Sequence, residues 1–206
     1  MMSGSSCIYS DGEIVSTSRA NYFAANGISL DGGILDKWAR YKIGPFTLIG
    51  FPNFQHRLQA ILRHDLHHIV LNLDTSSLGE GLIAAWELGS GCGQYWISWC
   101  MEPQALWWGI LMAPRKTFAL FILGRSSRNF FHETVPANFL DLPVGELRKK
   151  LLPENQNSLR TKFADVLLFA AISVLGIFMI LAFIPIFFFF TIVGGISEAV
   201  KRSPNR

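Results

Sequence analysis

Residues 54–89 read FQHRLQAILRHDLHHIVLNLDTSSLGEGLIAAWELG, and they decide the fold because their apolar positions follow a helical repeat. Within 54–73, apolar residues recur every three or four positions, which is the spacing of one helix face. They are Leu58, Ile61, Leu62, Leu66, Ile69, Val70 and Leu73. The run 74–77 interrupts the pattern, and a second helix is predicted at 78–89. We therefore expect two helices separated by a turn.

The first predicted helix contains the densest polar cluster of the chain, His64-Asp65-Leu66-His67-His68. His64 and His68 are four residues apart and share a helix face, which Asp65 borders. Burying such groups without partners is costly, and a divalent metal such as zinc or iron would satisfy them. A solvent-facing polar stripe and hydrogen-bonded core histidines are the alternative explanations.

Glu80 is a candidate fourth ligand on the second predicted helix. On one continuous helix it would lie ~18 Å along the axis from His68. The break at 74–77 must therefore turn the chain for Glu80 to reach the histidines. The same residue also fits a capping box with Ser77 as N-cap, so the sequence leaves ligation and capping open. Glu87, on the same face as Glu80, is either an extra carboxylate for the site or a surface residue.

The rest of the chain predicts a compact, mainly α domain. The segment 38–52, with Gly44-Pro45 at its centre, suggests one short β-hairpin, and another helix is predicted from Pro114 to about Gly124. The tryptophan-rich stretch 94–112 is either core or a surface that enters lipid. Composition divides the chain into a flexible N-terminus (1–33), a helical metal-site domain (34–135), a linker (136–165), a membrane anchor (166–197) and a basic tail (198–206).

The membrane anchor is predicted from a run without any charged residue, Val166 to Ile196. A membrane-spanning helix needs about 20 apolar residues. The run fits a single tilted span kinked near Pro185, and it also fits a re-entrant hairpin that turns there. A buried core helix is disfavoured because long soluble helices have a polar face. Basic residues flank both ends, so the positive-inside rule gives no orientation.

Charge and cysteine content exclude some classes of function. The net charge of +3 is too small and too scattered to indicate nucleic-acid binding. The three cysteines form no CxxC pair, which favours a reducing compartment. We therefore expect a membrane protein whose soluble domain lies on the cytoplasmic side.

The four candidate ligands have the spacing H-D-x-x-H-x(11)-E, formed by His64, Asp65, His68 and Glu80. The segment RHDLHHIVLNLDTSSLGEGLIAAWEL, which contains them, resembles the signature of the coenzyme Q (ubiquinone) biosynthesis protein 4 family. The shared features are the HDxxH pentad, the Gly79-Glu80 pair and the helical residues that follow. The likeness extends over roughly residues 35–135, and the segment before the motif is similar to a divergent bacterial-type branch.

This resemblance implies an all-helical, membrane-associated protein that binds zinc through His64, Asp65, His68 and Glu80. It implies a prenylated quinone precursor as ligand, oxidative decarboxylation at ring carbon 1 as activity, and other quinone-biosynthesis proteins as partners. It gives no role to His67, which falls on a variable position. Two functions stay open, a metal-dependent enzyme and an isoprenoid-lipid-binding scaffold with a structural metal. Because the C-terminal apolar tail is not typical of the family, a different isoprenoid lipid is an alternative ligand.

Overall fold

The computed structural model describes residues 9–26, 38–43, 46–155 and 160–202, with the backbone alone for the two strands and for part of residues 183–202. The chain is mainly helical, as the sequence predicts. In chain order the elements are α1 (Val15–Asn26), β1 (Trp38–Ile43), β2 (Phe46–Pro52), α2 (Gln55–Leu71), α3 (Ser77–Ser90), α4 (Trp96–Met112), α5 (Pro114–Arg125), a 3-10 turn (Phe139–Asp141), α6 (Val144–Leu151) and α7 (Phe163–Arg202).

The turn between α2 and α3 brings the two predicted helices together. Asn72 ends α2 in the left-handed conformation, with φ 56°. Ser76 is the N-cap of α3, and its hydroxyl accepts a hydrogen bond of 3.1 Å from a backbone N–H of the first turn. The predicted capping box with Ser77 as N-cap is therefore wrong. Because Ser76 caps the helix, Glu80 is free to point its carboxylate elsewhere.

Helix α3 is the central element of the fold, and every residue from Gly81 to Gly89 is buried. It packs against both α4 and α5. Gly81 lies against Gly109 of α4, and Gly89 lies against Gly124 of α5, so closely that a Cβ atom at either position would collide with the neighbouring backbone. These glycine contacts let three helix backbones approach one another and fix where the side chains of α3 and α4 meet.

The apolar core has two parts, and α2 contributes to both. One part lies between α3, α4, α5 and α7, and its members include Leu88, Tyr95, Leu106, Phe121 and Phe131. The other part lies between α1, α2 and α6, and its members include Tyr9, Tyr22, Phe23, Leu66, Phe130 and Leu147. The polar cluster of α2 therefore lies inside the protein, where unpaired polar groups are costly.

The N-terminal region differs from the predicted flexible segment 1–33. Residues Val15–Asn26 form α1, and Val15, Tyr22 and Phe23 are buried. Their spacing places them on one helix face. The serines and alanines between them lower the hydrophobic signal of the segment, which is why composition indicated loose order.

The predicted linker 136–165 also differs, because it contains α6. Val144, Leu147 and Leu151 are buried at helical spacing. Arg148 donates a hydrogen bond of 2.8 Å to the carbonyl oxygen of Val70 at the end of α2. A basic side chain in this position satisfies the free carbonyls of a helix C-terminus. The packed helical body therefore extends beyond the predicted boundaries 34–135.

The predicted β-hairpin is confirmed by the antiparallel pairing of β1 with β2, in which Lys42 lies opposite Thr47. Its predicted turn at Gly44-Pro45 is outside the described residues. Strand β2 packs against α7.

Helix α4 contains most of the tryptophan-rich stretch and has two distinct faces. Its buried face includes Glu102 and Leu106. Trp96, Trp99 and Trp108 are 52%, 39% and 54% exposed. The core interpretation is therefore wrong for these three tryptophans, because more than a third of each is exposed.

Helix α7 runs without interruption through Pro185. The hairpin interpretation is therefore wrong; the loss of one N–H donor at Pro185 is tolerated within a long helix. Its stretch Phe163–Ala182 is long and apolar enough to cross a membrane, and 17% of the apolar window is buried. The first half of α7 packs on the body, where Trp107 donates a hydrogen bond of 2.9 Å to the Ser173 carbonyl oxygen.

Candidate metal centre

Three of the four predicted ligands, His64, His68 and Glu80, come together between α2 and α3. The two Nε2 atoms are 3.1 Å apart. Glu80 Oε2 lies 3.3 Å from His64 Nε2, and Glu80 Oε1 lies 3.5 Å from His68 Nε2. Two ligands of a tetrahedral zinc ion at ~2.0–2.1 Å are separated by ~3.3–3.4 Å. The separations are therefore close to the ligand spacing of a tetrahedral ion, with a different oxygen of the Glu80 carboxylate next to each histidine.

The hydrogen bonds of the two histidines leave their Nε2 atoms available. His68 Nδ1 lies 3.2 Å from the carbonyl oxygen of Leu73. Since a carbonyl oxygen only accepts, the Nδ1 atom carries a proton, and the neutral ring presents the lone pair of Nε2 to His64 and Glu80. His64 Nδ1 likewise lies 3.1 Å from Glu87 Oε1. With both Nδ1 atoms used as donors, the two Nε2 atoms face each other, and a proton or a metal ion is needed between them.

Asp65, the fourth predicted ligand, lies apart from these three. Its Oδ1 atom accepts a hydrogen bond of 3.2 Å from the Tyr22 hydroxyl. It belongs to neither group of converging metal-ligand atoms among the described residues. Burial raises the pKa of Asp65, although His64 and His68 oppose the shift. A tetrahedral ion on the other three ligands would keep one position open, as catalytic zinc sites do.

Two further carboxylates, Glu87 and Glu102, lie on the other side of the His64 ring. His64 Nδ1 is 3.1 Å from Glu87 Oε1 and 3.8 Å from Glu102 Oε1. Glu87 is fully buried, so the surface interpretation of this residue is wrong; α3 packs on all sides. Glu102 was not predicted. The sequence feature that could have identified Glu102 is its isolation, since it is the only charged residue between Glu87 and Arg115.

His67, to which the sequence assigned no role, orients Glu87. The backbone N–H of Phe130 donates a hydrogen bond of 3.0 Å to His67 Nε2. The proton is therefore on Nδ1, which donates to Glu87 Oε1 at 2.6 Å. Burial lowers the pKa of His67, although Glu87 opposes the shift. His67 is thus a neutral donor that holds one oxygen of the Glu87 carboxylate.

Charge in the cluster is balanced by histidine alone within the part of the chain that the structure describes. No Lys or Arg nitrogen lies within 4.0 Å of Glu80, Glu87 or Glu102 there. Burial by itself would lower the pKa of His64, but the negative charge of Glu87 and the hydrogen bonds to the carboxylates raise it. Burial together with the charge of Glu87 raises the pKa of Glu102.

Access to the cluster is from the side of Glu80. The Glu80 side chain is 34% exposed and that of His64 is 17% exposed. The side chains of His68 and Glu87 are fully buried. A ligand from solvent would therefore meet Glu80 first.

Comparisons with known proteins found no relative of the chain. No family model, no curated protein and no solved structure matches the chain. The likeness to the quinone-biosynthesis family therefore rests on the spacing of His64, Asp65, His68 and Glu80 and on the residues around them.

Proposed function

We propose that this protein is a membrane-associated, divalent-metal protein that acts on or presents a prenylated quinone precursor. The observation that supports it best is the convergence of His64 Nε2, His68 Nε2 and the Glu80 carboxylate, whose nearest atoms are 3.1–3.5 Å apart. The quinone precursor as ligand comes from the family resemblance of the same residues. Zinc is the expected ion, and iron is the alternative for two imidazoles and a carboxylate.

The position of α4 supports a link between the site and a membrane. Glu102 faces the polar cluster, whereas the backbone of the next residue, Pro103, lies directly against Gly176 of α7. The metal cluster and the apolar helix are therefore separated by a single helix. A lipid-like ligand held along α7 would lie one helix away from the cluster.

A bound metal ion would supply Lewis-acid polarisation of an oxygen on the ring carboxylate. The chain supplies the surroundings. Glu80 borders the accessible side, and the fully buried His68 holds its ring in one orientation through the Leu73 carbonyl. Asp65 and Tyr22 form a hydrogen-bonded pair beside the histidines.

The alternative function is an isoprenoid-lipid-binding scaffold with a structural metal. The burial of His68 favours it, because structural ions are enclosed by protein. The three-residue ligand set and the partial exposure of Glu80 favour catalysis, because they allow a fourth ligand to enter.

The first experiment measures metal by elemental mass spectrometry on the full chain in detergent after reconstitution with zinc. We expect at least one equivalent of zinc per wild-type chain. The His68→Ala variant should lose the ion that His64, His68 and Glu80 hold. His132→Ala is the matched control, since this histidine is outside the cluster. Wild-type protein without metal would overturn the proposal.

A second experiment separates enzyme from scaffold. The metal-loaded protein is mixed with a prenylated aromatic acid whose ring carboxylate carries an isotopic label, under dioxygen and with a reductant supplied. Binding that quenches tryptophan fluorescence, together with labelled carbon dioxide, supports an enzyme. Binding without carbon dioxide supports the scaffold, and no binding removes the quinone precursor as ligand.

A further inference from the structure

We propose that His64, Glu87 and Glu102 form a second divalent-cation site, so that His64 lies between two ions. Its Nε2 atom would bind the first ion with His68 and Glu80, and its Nδ1 atom would bind the second. The bridging role of His64 rests on the proposed function, whereas the second site stands on its own residues.

All three ligands of the second site lie on helices. His64, Glu87 and Glu102 come from α2, α3 and α4, three helices that pack against one another. One ligand atom from each lies within 4.8 Å of the other two. The close approach of Gly81 to Gly109 fixes α3 against α4, and thereby the two carboxylates. Convergence of this kind from rigid elements is what a metal site requires.

The Glu87 carboxylate provides an independent observation. Its Oε1 atom accepts from His67 Nδ1 at 2.6 Å and lies 3.1 Å from His64 Nδ1. Its Oε2 atom is buried and has no hydrogen-bond partner. A buried carboxylate oxygen without a partner is costly and needs an explanation. A cation bound beside Glu102 would satisfy it, while His67 holds the other oxygen in place.

The count of charges also favours two ions. Glu80, Glu87 and Glu102 gather around His64, with Asp65 nearby, and within the described residues no Lys or Arg nitrogen lies within 4.0 Å of the three glutamates. Two divalent ions would offset four negative charges, those of the three glutamates and that of a His64 ring without its proton. An isolated buried charge is far less stable than a compensated one.

The chemistry of the donors indicates the class of ion. One imidazole nitrogen and two carboxylates suit a divalent transition metal such as zinc, iron or manganese. The first ion binds the lone pair of Nε2, and the second displaces the single ring proton of the neutral His64 from Nδ1 to solvent. The imidazole then carries a negative charge that both ions share.

The test loads the full chain with zinc, removes unbound metal by desalting and counts the ions by elemental mass spectrometry. We expect two per chain in wild type and one in Glu102→Gln, which preserves the shape of the side chain. Glu146→Gln is the matched control, because Glu146 is exposed and pairs with Lys149, and it should keep two. Circular dichroism confirms that each variant is helical.

The outcomes separate this inference from the proposed function. One ion in both wild type and Glu102→Gln, lost in His68→Ala, overturns the second site and leaves the first. No ion in wild type overturns both sites.

The position of His64 between the ions is tested with wild-type protein alone. The result therefore does not depend on whether any variant folds. Two copper(II) ions that share one imidazole couple magnetically, and we expect an electron paramagnetic resonance signal far below the copper content. A full signal at two equivalents overturns the bridge.

Discussion

The metal centre and α7 depart from the usual distribution of residues in opposite directions. In the centre, the side chains of His67, His68 and Glu87 are fully buried. In α7, Phe178 is 64% exposed and Leu181 is 63% exposed. Charged side chains are normally outside, and large apolar ones are normally inside. The proposed cation would offset the buried carboxylates in one region, and an apolar surrounding would cover the exposed side chains in the other.

This difference implies that a substitution can disrupt one region and leave the other intact. The centre depends on how closely α2, α3 and α4 pack, whereas the exposed face of α7 depends on what surrounds it. Substitutions can therefore change one region at a time, so that the response of the other serves as a reference.

The largest effect is expected from two charges on the exposed face of α7. Phe178→Lys with Leu181→Lys adds two charges where the apolar stretch is exposed. Each costs about 2.5–3.5 kcal/mol at the centre of a bilayer. We expect the vesicle partition coefficient, measured by flotation, to fall by about four orders of magnitude, at about 1.4 kcal/mol per factor of ten.

The control for this variant is Thr161→Lys with Phe163→Lys, which adds the same number of charges at the start of α7 beside Lys162. This control should float with the vesicles as wild type does, and the metal content of both variants should be unchanged. If the variant with charges at 178 and 181 also floats normally, the exposed face of α7 is not covered by lipid.

An intermediate effect is expected from Gly81→Ala. The added methyl group would collide with the backbone of Gly109 and push α3 away from α4. Overpacking of this kind costs about 1–3 kcal/mol. We expect a lower melting temperature and weaker metal binding, with normal flotation on vesicles. Gly12→Ala is the control, because the methyl group that it adds would have no neighbouring atom within 4 Å; equal melting temperatures for the two variants would contradict the packing argument.

The smallest effect is expected from the Tyr22 and Asp65 pair. Tyr22→Phe removes one hydrogen bond, which is worth about 1 kcal/mol, and Asp65→Asn preserves an acceptor for the Tyr22 hydroxyl. We expect slightly lower melting temperatures and unchanged metal content in both variants. Loss of metal in Asp65→Asn alone would make Asp65 a ligand, as the family resemblance implies.

Helical periodicity predicted α2, α3 and the turn between them, because their apolar residues recur at regular spacing. The same pattern was present in α6, at Val144, Leu147 and Leu151, but the charged residues between them suggested a linker. Only packing shows that Arg148 covers the end of α2.

The candidate site was predictable only where its residues are close in sequence. His64, His68 and Glu80 lie on two consecutive helices, and their spacing pointed to a metal. Glu102 lies on α4 and reaches His64 through tertiary packing. The role of His67 depends on the Phe130 N–H, which is 63 positions away in the chain. Neither contact leaves a periodic signal in the sequence.

The adjacency of Glu102 and Pro103 has a consequence for insertions and deletions. Consecutive residues of a helix point about 100° apart, so the register of α4 decides both what faces His64 and what faces Gly176. A single deletion early in α4 would turn the helix by that angle and separate both contacts at once. The length of the segment before Glu102 is therefore as restricted as the identity of the residue.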